Sequence, residues 1–386
     1  MATGAYRVAI VAGETSGDQL GAALISALRE RCPGIRVRGV CGPLMQSSGC
    51  EPLGAASEIS VMGLAEVLRH LPRLLRLRRR LRREFSAWHP DVFVGIDAPE
   101  FNLGLAAQLH AAGIKTVQYV SPQVWAWRER RVTRIARDCD LVLCLLPFES
   151  AFYARHAVRA EFVGHPLADQ IPLDVDRRAA RRALGLNAEG SVVALLPGSR
   201  RGEVVRLAPD FIGAAGLLAD ASPAVQFVAP MASRPLWALF ESMARAAGAG
   251  GVQIRMLDGQ ARLALQAADV ALVASGTASL EALLCRCPMV VAYRLSPVTA
   301  FMLRALRMVR LPCFSLPNLL AGEPLVPEFL QEMVSGPRLA AAAQAQLDDQ
   351  PRRAMLAARF RVIHESLRLG GAGKAADAVL QLIGAE

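Results

Sequence analysis

No stretch of the chain reaches about 18 consecutive uncharged apolar residues, so a membrane-spanning helix is not expected, although 53% of its 386 residues are hydrophobic. Charged residues make up only 20%, and lysine is almost missing: apart from Lys115 and Lys374, all 44 basic residues are arginine. The eight cysteines form no set with histidine that has zinc spacing. Cys285 and Cys287 make CxC rather than CxxC, and Cys139 and Cys144 flank an apolar strand. Reduced, mostly buried thiols and no bound metal are therefore expected, as in a cytoplasmic chain. GxGxxG is absent, which weighs against a dinucleotide oxidoreductase, and so is the GKS/T ending of a Walker loop. The opening apolar run, Val8–Ala12, is too short for a secretory signal and leads into a turn rather than a cleavage site.

What is present alternates. Arg7–Ala12 reads as a strand, with a helix from about Gln19 to Arg31. Val37–Val40, Asp91–Ile96, Thr116–Val120, Leu141–Leu145 and Glu161–Val163 continue the strands, with crossover-length helical patterns between most of them. After Gly164-His165-Pro166 the segment Asp169–Gly190 reads as a linker, and the pattern restarts with strands at Val192–Leu196, Val225–Val228, Val252–Met256, Val270–Val273 and Met289–Tyr293. Strand–helix–strand repetition predicts parallel sheets, and the length suits two domains of about 150–200 residues. The expected architecture is α/β, two Rossmann-like domains over 1–168 and 169–340 facing across a cleft, with C-terminal helices over 341–386 packing back on the first.

One segment concentrates charge. Eight arginines lie between Arg69 and Arg83, interleaved with Leu71, Leu74, Leu75, Leu77 and Leu81. Three readings fit: a helix on an anionic membrane surface, an ordinary amphipathic helix whose arginine stems lie over the body, or a nucleic-acid face. The last is disfavoured because no nucleic-acid module accompanies it.

In open α/β sheets ligands collect at the carboxyl ends of strands, and four segments meet that condition. Gly13-Glu14-Thr15-Ser16-Gly17-Asp18 follows the first strand; Gly13, Ser16 and Gly17 are candidate ligand-facing residues, the alternative being a plain turn capped by its own Asp18. Asp97 directly follows an apolar strand, and Pro99 fixes the turn. A carboxylate so held suits a general base on an attacking hydroxyl, the alternative being that Asp97 only caps the next helix, with Glu100 the rival base and Asn102 a polar support or an N-cap. Pro197-Gly198-Ser199-Arg200 precedes a helix; Arg200 offers planar donors to a diphosphate, or an ion pair to Glu203. Ser275-Gly276-Thr277-Ala278-Ser279 leaves room for a pyrophosphate over a helix N-terminus, with Glu281 in about the first turn placed to accept ribose hydroxyls. His165 is the best placed of the histidines, and Trp125 and Trp127 either stack on a ligand or pack an interdomain face.

These motifs together resemble the lipid-A-disaccharide synthase family. The resemblance rests on VAGETSGD (Val11–Asp18), VMGLAEVL (Val61–Leu68), DVFVGIDAPEFN (Asp91–Asn102), YVSPQVWAWR (Tyr119–Arg128), LPFE (Leu146–Glu149) and GHPLAD (Gly164–Asp169). In the second half it rests on LLPGSRRGEV (Leu195–Val204), ASGTASLE (Ala274–Glu281), CPMVVAYR (Cys287–Arg294) and SLPNLLAG (Ser315–Gly322). It implies a GT-B fold and an inverting transfer of 2,3-diacylglucosamine from its UDP derivative to the 6-hydroxyl of 2,3-diacylglucosamine 1-phosphate. It further implies Asp97 as base, a UDP site containing Arg200, Ser275, Gly276, Thr277, Glu281 and Asn318, and a homodimer exchanging its C-terminal region. Many members carry aspartate where this chain has Glu100. With no carboxylate pair of DxD spacing near either phosphate candidate, metal independence is expected, with the UDP-sugar as substrate and no cofactor. The basic helix, over about 64–83, would hold the enzyme on the cytoplasmic face of the inner membrane, where its acylated glucosamine substrates reside. The rival enzyme is a UDP-N-acetylglucosamine 2-epimerase of the same fold. The rival class is a non-catalytic surface-binding protein, which leaves Asp97 and the phosphate-like loops unexplained.

Overall fold

The structure, a computed structural model, describes residues 6–59, 64–127, 131–247, 252–296 and 313–385. The chain divides into two compact units, Met1–Asp169 with Leu367–Glu386, and Gln170–Ser366.

The first unit is built on seven parallel strands: β1 (Arg7–Ala12), β2 (Arg36–Cys41), β3 (Cys50–Ala55), β4 (Val92–Ile96), β5 (Lys115–Tyr119), β6 (Leu141–Cys144) and β7 (Ala160–Phe162). They lie in the order β3-β2-β1-β4-β5-β6-β7. The central strands are apolar almost throughout because helices cover both faces. Val8, Ile10 and Ala12 of β1 face the core made with helices Glu14–Arg31 and Gly371–Ile383. The alternate residues Ala9 and Val11 face the core made with helices Leu64–Trp88 and Pro99–His110.

The second unit repeats the plan with six parallel strands: β8 (Val192–Leu196), β9 (Gln226–Met231), β10 (Ile254–Asp258), β11 (Val270–Ala274), β12 (Met289–Tyr293) and β13 (Glu328–Leu330). Their order is β10-β9-β8-β11-β12-β13. Each sheet reverses direction of travel once, between β1 and β4 and between β8 and β11. Those are the switch points at which such sheets hold ligands.

Two expectations need correction. Asp169–Gly190 is not a loose linker: it contains the helix Arg177–Ala183, whose N-cap Asp176 accepts from the Ala179 N–H at 2.9 Å. Arg181, buried, pairs with Asp269 at 2.5 Å, which ties the segment into the second unit. The tail over 341–386 is not one block. Helix Gly336–Asp348 places Leu339, Ala340 and Ala343 in the second unit's core, and the chain rejoins the first unit only at Leu367. There Asp169 caps the last helix, accepting from Gly370 N–H at 3.0 Å and Gly371 N–H at 2.8 Å.

The arginine-rich segment is the single helix Leu64–Trp88. Residues 61–63 of the VMGLAEVL motif, and the side chains of 64–70 with Arg69 among them, lie outside the described residues. From Leu71 onward the helix is amphipathic in the ordinary sense: Leu77, Leu81 and Phe85, spaced four apart, are buried in the first unit's core. Arg80 Nη2 donates to the Leu53 carbonyl at 2.7 Å, and an added Cβ at Gly104 would lie 2.2 Å from Arg78 Nη1, so that guanidinium rests on the neighbouring helix. Leu71 stays exposed.

Candidate active site

At the carboxyl end of β1 the expected loop is missing. Gly13 is extended (φ −103°) and caps a helix that starts at Glu14, five residues before the expected Gln19. Glu14, Thr15 and Ser16 are thereby exposed on its first turn, with no side chain capping its free N–H groups. Gly13 is buried, and a Cβ there would meet Ile59 at 3.3 Å and Ala98 at 3.4 Å; Gly17 is buried against Ala12.

Asp18 does not cap its own turn. Its carboxylate crosses to the N-terminus of the helix Pro43–Ser47 that follows β2, accepting from Gly42 N–H at 2.9 Å and Met45 N–H at 3.0 Å through Oδ1, and from Leu44 N–H at 3.0 Å through Oδ2. A Cβ on Gly42 would lie 2.4 Å from that carboxyl, so VAGETSGD and Gly42 form one structural lock. Asp18→Ala leaves three N–H groups without partners and is expected to destabilise the protein by about 2–4 kcal/mol, read as a lowered urea midpoint at constant slope.

The turn after β4 is strained and tightly held. Asp97 (φ +50°) and Ala98 (φ +39°) are consecutive left-handed residues without glycine, a conformation that costs on the order of 1–3 kcal/mol per residue unless its surroundings fix it. Asn102, fully buried, fixes it: Nδ2 donates to the Asp97 carbonyl at 2.8 Å and to Ile96 O at 3.2 Å, with Val11 O of the neighbouring strand at 3.4 Å. Gln118 Nε2 reaches the same Asp97 carbonyl at 3.2 Å, and the Asp97 N–H donates to Tyr119 O at 2.9 Å. Gly95 makes room, since a Cβ there would stand 2.7 Å from the Asn102 Cβ. The half-buried Asp97 carboxyl titrates above the ordinary aspartate range because burial disfavours its charge, offset in part by a hydrogen bond from the Ala98 backbone. A carboxylate raised in this way is a stronger base.

The other acids and bases of this edge differ. Glu100 is exposed on the first turn of the helix Pro99–His110 and forms an ion pair with Arg131. His165 accepts from Leu167 N–H at Nδ1, 3.2 Å, which leaves its proton on Nε2, and desolvation pushes its pKa down to about 4. It is a neutral hydrogen-bond donor at physiological pH, not a ready base.

Glu149, which sequence reasoning passed over except within the LPFE motif, is buried at the carboxyl end of β6. It accepts from Leu146 N–H at 3.1 Å and Trp125 Nε1–H at 3.2 Å, and burial pushes its pKa up to about 7. Trp125 is thereby held edge-on to Phe148, ring centroids 4.8 Å apart; the Trp127 side chain lies outside the described residues. Glu149's folded pKa exceeds the unfolded value of about 4.3, so stability falls as pH rises between about 4 and 7, by on the order of 3 kcal/mol. His165's folded pKa lies below its unfolded value, so stability rises across much of that window. The two slopes oppose, and Glu149→Gln is expected to unmask a melting temperature that climbs from pH 4.5 to 6.5.

In the second unit, Gly198 has φ +130°, and a Cβ would lie 2.4 Å from the Glu203 side chain. Glu203 Oε2 accepts from Ser199 N–H at 3.0 Å and Arg200 N–H at 3.3 Å. The expected Arg200–Glu203 pair is thus made through the backbone, and among the described residues the exposed Arg200 guanidinium makes no ion pair. Gly276 has φ +151° and open space where a Cβ would stand, directly before the helix Thr277–Leu284. Ser279 Oγ donates to the Gly276 carbonyl at 2.7 Å, and Ser275 N–H to Ala292 O at 3.0 Å. Gly276 and Thr277 are exposed, with Ser275 and Ala278 half-buried beside them.

Two residues expected at the ligand are placed differently from expectation. Because the helix starts at Thr277, Glu281 is its fifth residue, in the second turn rather than the first. Burial raises its pKa, with Arg262 opposing. Asn318 is buried with both amide hydrogens used, on Val326 O at 2.9 Å and Glu328 Oε1 at 2.8 Å, while its Oδ1 accepts from Val326 N–H at 2.8 Å. As placed it offers a ligand no donor; it clamps the segment that follows. Among the described residues no group of three or more His, Cys, Asp or Glu could hold a metal ion.

Comparison with known proteins agrees with this layout. Residues 8–381 match the family described as lipid-A-disaccharide synthetase. A lipid-A-disaccharide synthase of Sodalis glossinidius (strain morsitans) is 52% identical over 376 residues, 97% of this chain and 98% of the relative. Among solved structures, the glycotransferase of kitacinnamycin superposes with a TM-score of 0.63 at 18% identity, over 98% of this chain and 99% of that one. The UDP-GlcNAc 2-epimerase of Neisseria meningitidis bound to UDP-GlcNAc superposes with a TM-score of 0.62 at 12% identity, over 97% and 99%. At such identities the solved structures establish the fold alone, which transferases and epimerases share. The near-complete match in sequence separates them: the chain belongs to the lipid-A-disaccharide synthase family.

Proposed function

We propose that the chain transfers 2,3-diacylglucosamine from UDP-2,3-diacylglucosamine to the 6-hydroxyl of 2,3-diacylglucosamine 1-phosphate, releasing UDP and the β(1→6) disaccharide 1-phosphate. One observation carries the mechanism: Asp97 in the first unit, and the Gly198–Arg200 and Ser275–Ser279 segments in the second, stand at the switch points of their sheets. Asp97 takes the proton of the acceptor hydroxyl as that oxygen attacks C1. The C1–O bond to the diphosphate breaks on the opposite side with its electron pair, so the α-linked donor gives a β product. The charge left on the diphosphate is met by the Arg200 guanidinium and by the N–H groups of the helix beginning at Thr277. Asn102 and Gln118 act through the backbone of Asp97, holding the base in place.

No helix among the described residues is long and apolar enough to cross a membrane. The acylated substrates reside in a bilayer, and we place the enzyme peripherally on its anionic face. The exposed Leu71, with the exposed Arg73, Arg76 and Arg79, supports a contact through the outer side of the helix Leu64–Trp88, whose other side is committed to the core. Exchange of C-terminal regions between two copies belongs to the same proposal.

The rival epimerase is tested directly. The purified protein is incubated with UDP-N-acetylglucosamine alone, or with both acylated substrates. UDP formed only when both acylated substrates are present supports the proposal; conversion of UDP-N-acetylglucosamine to its C2 epimer would overturn it.

A further inference from the structure

Tyr293 ends β12 and has a role in none of the chemistry above. Its place is set by three independent contacts. In the register of β11 with β12, Ala274 stands opposite Ala292, which puts Tyr293 beside Ser275 at the carboxyl edge, where the Ser275 N–H donates to Ala292 O at 3.0 Å. Val290 and Ala292 point into the core beneath the helix Arg201–Ala221, so Tyr293 projects to the opposite face. There its ring lies 6.3 Å from that of Phe314, whose carbonyl is 3.5 Å from Ser275 Oγ. The end of β12 is also fastened to the helix that follows β8: Arg294 Nη1 donates to Arg206 O at 2.9 Å and to Asp210 at 2.6 Å, while Arg206 Nε donates to Arg294 O at 2.8 Å.

These bonds bridge across the end of β11, so Tyr293 sits beside the gap between the two phosphate-type segments. The charges of Glu203, Arg206 and Arg200 all act on its half-buried phenol, and burial with Glu203 raises its pKa. The phenol therefore keeps its proton. Among the described residues its hydroxyl makes no hydrogen bond, although a tyrosine hydroxyl partly removed from water ordinarily finds a partner.

We propose that the Tyr293 hydroxyl donates a hydrogen bond to a diphosphate oxygen of the UDP-sugar, as a further leaving-group contact beside Arg200 and the helix beginning at Thr277. The inference rests on the donor-site reading given above. When the C1–O bond breaks, the electron pair goes to the phosphate oxygen; the phenol gives up no proton and meets the growing charge with an existing O–H dipole.

The test is Tyr293→Phe, which removes one oxygen and keeps the ring against Phe314. Equilibrium binding of UDP and of uridine is measured for wild type and variant, with turnover of the acylated substrates. The expected result is UDP affinity lower by about tenfold or more, uridine affinity unchanged, and kcat reduced with the KM for the acceptor unaltered. Equal UDP affinity and equal turnover would overturn the proposal, as would an equal loss for UDP and uridine, which would make Tyr293 a packing residue. Failure of the wild type to bind UDP would remove the donor-site reading itself, and the inference with it.

Discussion

Asp97→Asn is expected to lower turnover by at least about 100-fold, within the range of about 10²–10⁴ that a positioned general base supplies. Affinity for UDP is expected to stay at the wild-type level, because the segments proposed to hold UDP belong to the second unit. Asparagine is nearly isosteric, and the contacts that fix the turn, from Asn102, Gln118 and Tyr119, all engage the Asp97 backbone. The substitution therefore removes the proton acceptor without releasing the strained geometry. The pH profile supplies a second check. Burial raises the Asp97 pKa, so the acid limb of kcat/KM falls above the aspartate norm of about 3.9; the base is ionised, and the enzyme active, on the alkaline side of that limb. A variant with full activity would move the base elsewhere on this edge. Glu100 is an unpromising substitute, being exposed and paired with Arg131, and the Nδ1 of His165 is already occupied by the Leu167 N–H.

Arg200→Ala carries the other large expected effect, a loss of about 10²–10³ in kcat, the usual result of deleting one preorganised donor to a developing anion. The guanidinium makes no ion pair among the described residues, and the loop is held by Glu203 on backbone N–H groups. Truncation is therefore expected to leave folding intact, with an unchanged melting temperature. Arg200→Lys restores the charge without the planar pair of donors and recovers only part of the rate. Unaltered kcat in the alanine variant, with UDP still bound, would assign leaving-group stabilisation to the helix beginning at Thr277.

The parallel sheets were readable because their strands are short apolar runs separated by helical patterns, and most of those runs coincide with observed strands. β3 was not, because Cys50–Ala55 reads Cys-Glu-Pro-Leu-Gly-Ala, with exposed and half-buried positions and no apolar run. The start of the first helix was misplaced since glycines and hydroxyl residues ordinarily signal a turn. Here Gly13 passes the strand directly into a helix, and the motif's acid is used 24 to 27 residues away. Asn318 shows the opposite limit. Resemblance assigns a residue to a site, but only packing shows that its amide hydrogens are already engaged with Val326 and Glu328. Glu149 was missed for a physical reason as well: nothing in LPFE tells a capping glutamate on the surface from one buried under a tryptophan.

The membership of the chain in its family and the placement of Asp97 meet in one product. The purified wild-type protein is given both acylated substrates in the presence of EDTA, and the linkage and anomeric configuration of the product are determined by NMR, with UDP measured in parallel. One equivalent of UDP is expected for each β(1→6)-linked disaccharide 1-phosphate. An α-linked disaccharide, or UDP released without any disaccharide, would contradict it.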